Sequence, residues 1–479
     1  MLIPNSGNIR DALAIIDANA QGTGFVINDD QKLVGVVTDG DIRRAFINQG
    51  KTLETPVVEV MQTQFTSYPV TTSPDEINAS LSDRIRHIPL LDESGKVVDY
   101  ASRTRLHRIP IMEPLLGGNE LAYVSECVRT NWISSQGRFV RDFERMMGEF
   151  HAMPYALAVS NGTVALHLAL DALGVGEGDE VIVPNLTFAA SINSIIYAGA
   201  TPVIVDVDDT WSISTEAIRA AITPHTKAIM PVHLYGYPCD MHRIEAIARE
   251  HNLLVIEDNA EGLGTTLNGQ LTATFGDAAT FSFFGNKTVT TGEGGMIFFK
   301  DKKHYEHAAV LRDHGMSKTK KYWHNYVGYN YRMTNLQAAI GVAQMERIDD
   351  ILNKKCTVGK VYNELLADVN ELILPPHSSE VRNTYWLYTL LVNDKKTNLS
   401  RDEIIKKLLQ NGIEARPVFF PLHVMPPYVN FAKGEYPNTD YISRQGLSLP
   451  SSVGLTEEQQ GDVCRALKGV FKVRELLKR

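Results

Sequence analysis

Between about residue 155 and residue 300 the chain alternates short apolar runs with stretches of helical apolar periodicity, and no other feature narrows its fold as far. Strands joined through helices lie parallel, so a mostly parallel sheet with helices on both faces is expected. Sheets of this kind place their chemistry beyond the carboxyl ends of the strands. Three such ends carry residues suited to that role.

The first is Phe281-Ser282-Phe283-Phe284-Gly285-Asn286-Lys287-Thr288, an aromatic strand that delivers Lys287 before the glycine-rich turn Gly292-Glu293-Gly294-Gly295. A lysine that attacks a carbonyl has to be partly desolvated and needs a floor free of bulky side chains. A solvated loop lysine is the plainer alternative. The second is Leu253-Leu254-Val255-Ile256-Glu257-Asp258-Asn259-Ala260-Glu261, a strand ending in acids upstream of Lys287. Asp258 suits the task of keeping a pyridine nitrogen protonated, the condition under which pyridoxal phosphate acts as an electron sink. Capping the next helix is its simpler role. The third is Ala158 to Leu170, where a strand turns through Asn161-Gly162-Thr163 into an apolar helix. Free amides and the positive end of the helix dipole make that turn an anion site, though an ordinary N-cap at Asn161 or Thr163 fits equally. Ser282 adds a hydroxyl for the same phosphate.

Seven blocks in order then give the chain a family likeness: Asn131-Trp132-Ile133-Ser134-Ser135-Gln136-Gly137, Ser160-Asn161-Gly162-Thr163, Val232-His233-Leu234-Tyr235-Gly236, Glu257-Asp258-Asn259-Ala260-Glu261, Phe283-Phe284-Gly285-Asn286-Lys287-Thr288, Gly328-Tyr329-Asn330-Tyr331-Arg332-Met333 and Arg416-Pro417. From about residue 112 to 479 the chain resembles the nucleotide-sugar aminotransferases of the DegT/StrS type. The resemblance implies an α/β protein of the aspartate-aminotransferase-like fold, type I among pyridoxal phosphate-dependent transferases. It implies pyridoxal 5'-phosphate joined to Lys287 as a Schiff base, with Asp258 on the pyridine nitrogen and Glu261 by the ring hydroxyl. Gly162, Thr163 and Ser282 would hold the phosphate, Phe188 would stack on the ring, and Asn330 would reach the phosphate of a neighbouring subunit's cofactor, which makes a homodimer the expected minimum. Asn259 departs from the pattern, where a small residue such as Ala is expected. Trp132, His233, Arg332, Arg416 and His423 are further substrate candidates. Packing for Trp132, core hydrogen bonding for His233 and surface ion pairing for the arginines are their plainer readings.

The reaction implied is transfer of an amino group, with glutamate as donor, to a nucleotide-linked 4-keto-6-deoxy sugar. One alternative is a sugar dehydratase of the same fold; relatives of that kind carry His at the lysine position, against Lys287 here. Another is a nucleotide-responsive regulatory protein with an inert transferase domain, against which Lys287 and Asp258 together speak.

At 479 residues two or three domains are expected. A net charge of −9 argues against a nucleic-acid partner. The four cysteines, Cys127, Cys239, Cys356 and Cys464, show neither metal-ligand spacing nor a disulfide framework, so no metal is expected. The start Met1-Leu2-Ile3-Pro4-Asn5-Ser6 lacks the basic residues and apolar run of an export signal, and no apolar run reaches membrane-span length. A cytoplasmic protein without membrane contact is the expectation.

Residues 1–109 form a separate module with a weak repeat at an offset of 64. Leu33-Val34-Gly35-Val36-Val37-Thr38-Asp39-Gly40-Asp41 aligns with Val97-Val98-Asp99-Tyr100-Ala101-Ser102-Arg103-Thr104-Arg105, each after an acidic turn. The unit reads as strand, turn, strand, helix. It is similar to a tandem CBS pair, an α+β module that senses adenine nucleotides; the likeness implies that Thr38 and Asp41 grip a ribose. Arg105 stands where the second unit would carry its acid, and a guanidinium cannot accept a ribose hydroxyl's hydrogen bond. A structural or dimerising pair is the alternative. The expected domains are thus 1–109, a large cofactor-binding α/β domain over 110–355, and a small α+β domain over 356–479. Leading up to the boundary between the last two, the apolar spacing predicts one long helix from Asn335 toward Lys354.

Overall fold

The computed structural model describes residues 1–19, 21–82, 84–102 and 109–476. The chain divides into two compact units, residues 1–108 with 410–412, and residues 109–409 with 413–479.

The first unit holds two three-stranded sheets built alike. In one, Leu2–Pro4 pairs parallel with Thr23–Ile27, which pairs antiparallel with Leu33–Thr38. In the other, Tyr68–Pro69 pairs parallel with His87–Leu91, and that strand pairs antiparallel with Val97–Ser102. The offset of 64 recurs in the details. Thr23 faces Thr38 as His87 faces Ser102, and an irregularity falls between Val26 and Ile27 and again between Leu90 and Leu91. Equivalent residues of the two repeats also meet. Thr23 Oγ1 lies 3.0 Å from His87 Nδ1, and Lys32 bridges Lys96. The weak sequence repeat is therefore a duplicated supersecondary unit. Arg105 lies outside the described residues.

The second unit is centred on a seven-stranded sheet in the order Tyr155–Val159, Gly295–Phe299, Ala278–Ser282, Leu254–Asp258, Thr226–Ile229, Glu180–Pro184, Thr201–Val205. The strand Gly295–Phe299 runs antiparallel to both neighbours, and the remaining pairs are parallel. Period-two alternation sends neighbouring residues to opposite faces, and both faces are buried. Leu157, Val159, Ile297 and Phe299 pack with the helix Gly162–Ala172. Ala156, Ala158, Met296 and Phe298 pack with the helices Arg138–His151 and Asn335–Met345. The mostly parallel, doubly covered sheet expected from the alternating pattern is present.

Two expectations change. The long helix predicted from Asn335 is two helices, Asn335–Met345 and Ile348–Leu366, because Arg347 leaves helical geometry at φ −119°, ψ 17°. The second helix also runs through the boundary expected at 355/356, so no linker lies there. A four-stranded antiparallel sheet follows, in the order Leu372–Ile373, Tyr388–Val392, Gly446–Leu449, Arg416–Pro417. Among the described residues no helix is long and apolar enough to cross a membrane.

Candidate active site

The carboxyl ends of Tyr155–Val159, Leu254–Asp258 and Ala278–Ser282 open on one cavity of about 680 Å³. Gly162, Thr163, Phe188, Asp258, Glu261, Ser282, Lys287 and Arg416 all line it, although the sequence spreads them over more than 250 positions.

The anion end is set by backbone geometry. Asn161 caps the helix Gly162–Ala172, its side chain accepting the Val164 amide at 3.0 Å. Gly162 and Thr163 form the first turn, where amides lack intrahelical acceptors. A Cβ at Gly162 would come within 2.8 Å of Ser282 Cβ, and one at Gly295 within 2.5 Å of the Asn161 carbonyl oxygen. Glycine at these two places lets the turn, the hydroxyl of Ser282 and the antiparallel strand close around one spot.

The acid end is buried. Asp258 is 4 % exposed and accepts a hydrogen bond from Ser191 Oγ at 2.7 Å and the Ala260 amide at 3.2 Å. Burial nevertheless wins and holds its carboxyl above the usual range. Glu261 accepts the Tyr235 amide at 2.8 Å and faces Lys287 Nζ at 3.5 Å; burial raises it too, against the pull of Lys287. The Lys287 side chain is 13 % exposed, and its Nζ lies 3.9 Å from the centre of the Trp386 ring. Two buried acids with raised carboxyls, one ammonium and an anion site within one cavity are what an anionic cofactor carrying a protonatable ring would need. The donor set and the cradle left open by Gly162 fit pyridoxal phosphate.

The remaining candidates lie elsewhere. His233 is fully buried, Cys239 donating its amide to Nδ1 at 3.2 Å and Nε2 lying 3.0 Å from Glu257. Because Nδ1 is an acceptor, Nε2 carries the proton and donates it to Glu257. His233 is therefore a core residue with both nitrogens used, in keeping with its plainer reading. Arg332 pairs with Asp313 at 2.9 Å. His423 is held between Asn185 at 2.7 Å and Asp440 at 3.5 Å, against the Tyr436 ring. Trp132 is 57 % exposed, so packing does not account for its ring. None of these four is among the residues lining the cavity.

Asn330 is exposed between two tyrosines that point inward. Tyr329 Oη donates to Asp171 at 2.9 Å, Tyr331 Oη meets His167 Nδ1 at 3.1 Å, and the two rings stack 4.6 Å apart. Both partners lie on the helix Gly162–Ala172, so the helix that opens at the cavity also fixes the loop presenting Asn330 outward. The unusual Asn259 is fully buried with neither side-chain atom hydrogen-bonded.

Sequence reasoning missed Ser191, Tyr235, Trp386 and Phe419. Ser191 looks like any serine of an apolar helix, and only the sheet brings it to Asp258. The aromatic residues form a row: Trp386 stacks on Tyr235 at 6.2 Å and 4°, Tyr235 on Phe419 at 5.6 Å, and Phe419 meets Phe188 at 5.8 Å. The block containing Tyr235 was a visible signal, and Phe419 follows the Arg416-Pro417 block by two residues; Ser191 and Trp386 had none.

Comparison with known proteins agrees with this geometry. The model of the DegT/DnrJ/EryC1/StrS aminotransferase family matches residues 114–468, and that of the CBS domain matches residues 2–48. GDP-perosamine synthase of Caulobacter vibrioides is 49 % identical over 368 residues, 76 % of this chain and 99 % of the relative. The Escherichia coli O157:H7 enzyme of the same name is 46 % identical over 76 % of this chain and 98 % of its own length. Among solved structures, the PLP form of the putative sugar aminotransferase Spr1654 from Streptococcus pneumoniae superposes with a TM-score of 0.72 at 28 % identity, covering 76 % of this chain and 98 % of that one. The chain is a sugar aminotransferase belonging to the DegT/DnrJ/EryC1/StrS family.

Proposed function

We propose that this enzyme transfers an amino group from glutamate to the 4-keto carbon of a nucleotide-linked 4-keto-6-deoxy sugar, using pyridoxal phosphate bound in the cavity described above. The observation that carries the proposal is the meeting of Lys287, Asp258, Glu261 and the Gly162–Thr163 turn in one cavity. The likeness to GDP-perosamine synthases supports the choice of sugar class. When bound, the cofactor would supply a carbonyl carbon that takes up amines and a protonated ring that draws off electrons.

The protein's own residues have distinct tasks in this reading. The first-turn amides of Gly162 and Thr163, with the Ser282 hydroxyl, hold the phosphate. Phe188, 60 % exposed, covers one face of the ring. Asp258, oriented by Ser191, holds the proton on the ring nitrogen, and the charge there relieves the cost of burying the carboxylate. Glu261 faces the ring hydroxyl. Lys287 Nζ would move a proton from the donor's Cα to the cofactor's carbonyl carbon in the first half of the cycle, and one from that carbon to the sugar carbon that receives the nitrogen in the second. Asn330, displayed outward by its two tyrosines, reaches the phosphate of a second copy, so the active form is a homodimer. Arg416, at the rim, meets the substrate. Two half-reactions at one site give ping-pong kinetics.

Direct assay tests the proposal. Purified protein is incubated with pyridoxal phosphate, glutamate and either GDP- or UDP-linked 4-keto-6-deoxy sugar, and the product is read by mass. Replacement of the sugar's keto oxygen by an amine is the expected outcome. A product that has lost a hydroxyl without gaining nitrogen, or no reaction with either nucleotide, would refute it.

A further inference from the structure

The contacts around Trp386 go beyond packing. It is 4 % exposed and enters the cavity from just before the strand Tyr388–Val392, 99 positions after Lys287. Three contacts fix it. Nε1–H donates to the carbonyl of Asn286, the residue before the lysine, at 2.8 Å. Its own carbonyl accepts from Lys355 Nζ at 3.0 Å, and Lys355 is itself fully buried and also bonded to the Ser451 carbonyl. Its ring lies parallel to Tyr235, whose amide holds Glu261. Over the indole ring sits Lys287 Nζ, 3.9 Å from its centre, with Glu261 Oε1 at 3.5 Å. The tryptophan thus grips the backbone beside the lysine at its edge and the lysine's ammonium on its face, while its stacking partner sets the acid opposite.

We infer that Trp386 is a positioning residue that holds the Lys287 amine whenever that amine is not bonded to cofactor. The inference rests on the proposed role of Lys287. A transaminating lysine is released and recaptured once per cycle, and a free four-carbon side chain would otherwise sample many rotamers. A cation over an indole face in a desolvated place is favoured electrostatically, and the edge hydrogen bond keeps that face aligned with the lysine's own backbone. Each release then returns Nζ to the same spot beside Glu261.

The test needs neither substrate nor turnover. Full-length wild type, Trp386→Phe and Trp386→Leu, each stripped of cofactor, receive a short pulse of an amine-acylating reagent, and peptide mass spectrometry reads Lys287 modification relative to the exposed Lys360. Trp386→Leu, which removes face and edge bond, is expected to raise the Lys287 rate at least threefold. Trp386→Phe keeps an aromatic face without the anchoring N–H and should raise it about half as much. Buried Lys355 reports folding: if it reacts in the Leu variant, the Phe variant alone decides. Unchanged Lys287 reactivity in the folded variants overturns the inference. Addition of pyridoxal phosphate to the unlabelled wild type separates this result from the functional proposal, because absence of a cofactor absorbance band would sink the proposed chemistry whatever the labelling shows.

Discussion

Asp41 and Asp258 are both nearly buried acids at or just after a strand end, 7 % and 4 % exposed, yet they are opposite kinds of residue. At Asp41, burial pushes the carboxyl up but hydrogen bonds overcome it. The Thr38 amide and hydroxyl donate to Oδ2 at 2.9 and 2.6 Å, and Arg44 and Gln62 donate to Oδ1 at 2.6 and 3.0 Å, so the carboxyl sits below its ordinary range. Thr38 and Asp41 complete a capping box for the helix Asp39–Gln49. At Asp258, Ser191 and one amide are not enough, and the carboxyl stays raised. The chain satisfies one acid from within and leaves the other in need of a positive charge from outside. In the proposed function the cost left at Asp258 is what a ring cation would offset, whereas the bonds of Asp41 make it a joint of the fold.

The sharpest way to break this contrast is to remove the ammonium that offsets burial at both cavity acids. Lys287→Ala should lose more than about a thousandfold in multiple turnover, roughly 4 kcal/mol in the barrier. It should also lose the absorbance of protein-bound pyridoxal phosphate. Substantial turnover by this variant would mean that another group moves the proton.

Asp258→Asn should lower kcat more than about tenfold with cofactor saturating, about 1.4 kcal/mol, since an amide cannot stabilise a ring cation. Without cofactor the same change should be stabilising. A carboxyl whose folded pKa lies above its unfolded value of 3.8 imposes its cost as pH rises through the folded pKa. The cost is then fully present at neutral pH and fades as pH falls toward 3.8. The cofactor-free variant should therefore melt higher than wild type at pH 7, with the gap closing in acid. A variant that melts lower at pH 7 would put Asp258 in the same class as Asp41.

How far the contrast could be read beforehand depended on what each residue needs. Asp258 and Ser282 end strands, and Gly162, Thr163, Glu261 and Lys287 closely follow strand ends, so once a parallel sheet is inferred their convergence follows from topology. The duplicated first unit was legible through its 64-residue offset, because the same turn chemistry and alternation recur. Ser191 and Trp386 were not legible, since their proximity to the cavity depends on how a helix and the antiparallel sheet pack. His233 was ambiguous for a related reason: a histidine in a family block looks functional until Cys239 and Glu257 are seen to occupy both nitrogens. The break at Arg347 had no proline or glycine to announce it.

In the proposed dimer Asn330, like Asp258, meets a group from outside its own chain. Asn330→Ala should weaken pyridoxal phosphate binding about tenfold, the worth of one hydrogen bond to a charged phosphate, while sedimentation still finds a dimer. A fully active monomer at assay concentration would remove the shared site and leave Asn330 as an ordinary loop residue.

Asp41→Ala should have the smallest effect on catalysis, with kcat unchanged when cofactor and substrates are saturating. Its effect belongs to stability. Losing the capping box and leaving Gln62 and Arg44 without their acceptor should destabilise the first unit by about 1–3 kcal/mol. The wild-type contribution is fully present above pH 3.8 and is lost as pH falls below that value through the lowered folded pKa. Calorimetric titration with AMP, ADP and ATP asks whether the joint is also a receptor. No more than one adenine nucleotide per chain is expected, because Arg105 replaces the second repeat's acid. Binding at Asp41 would have to exchange Arg44 or Gln62 for ribose hydroxyls, and Asp41→Ala should abolish it. Two equal sites would overturn the reading of Arg105. Silence from the wild type, combined with the loss of stability, would leave Thr38 and Asp41 as a capping box and nothing more.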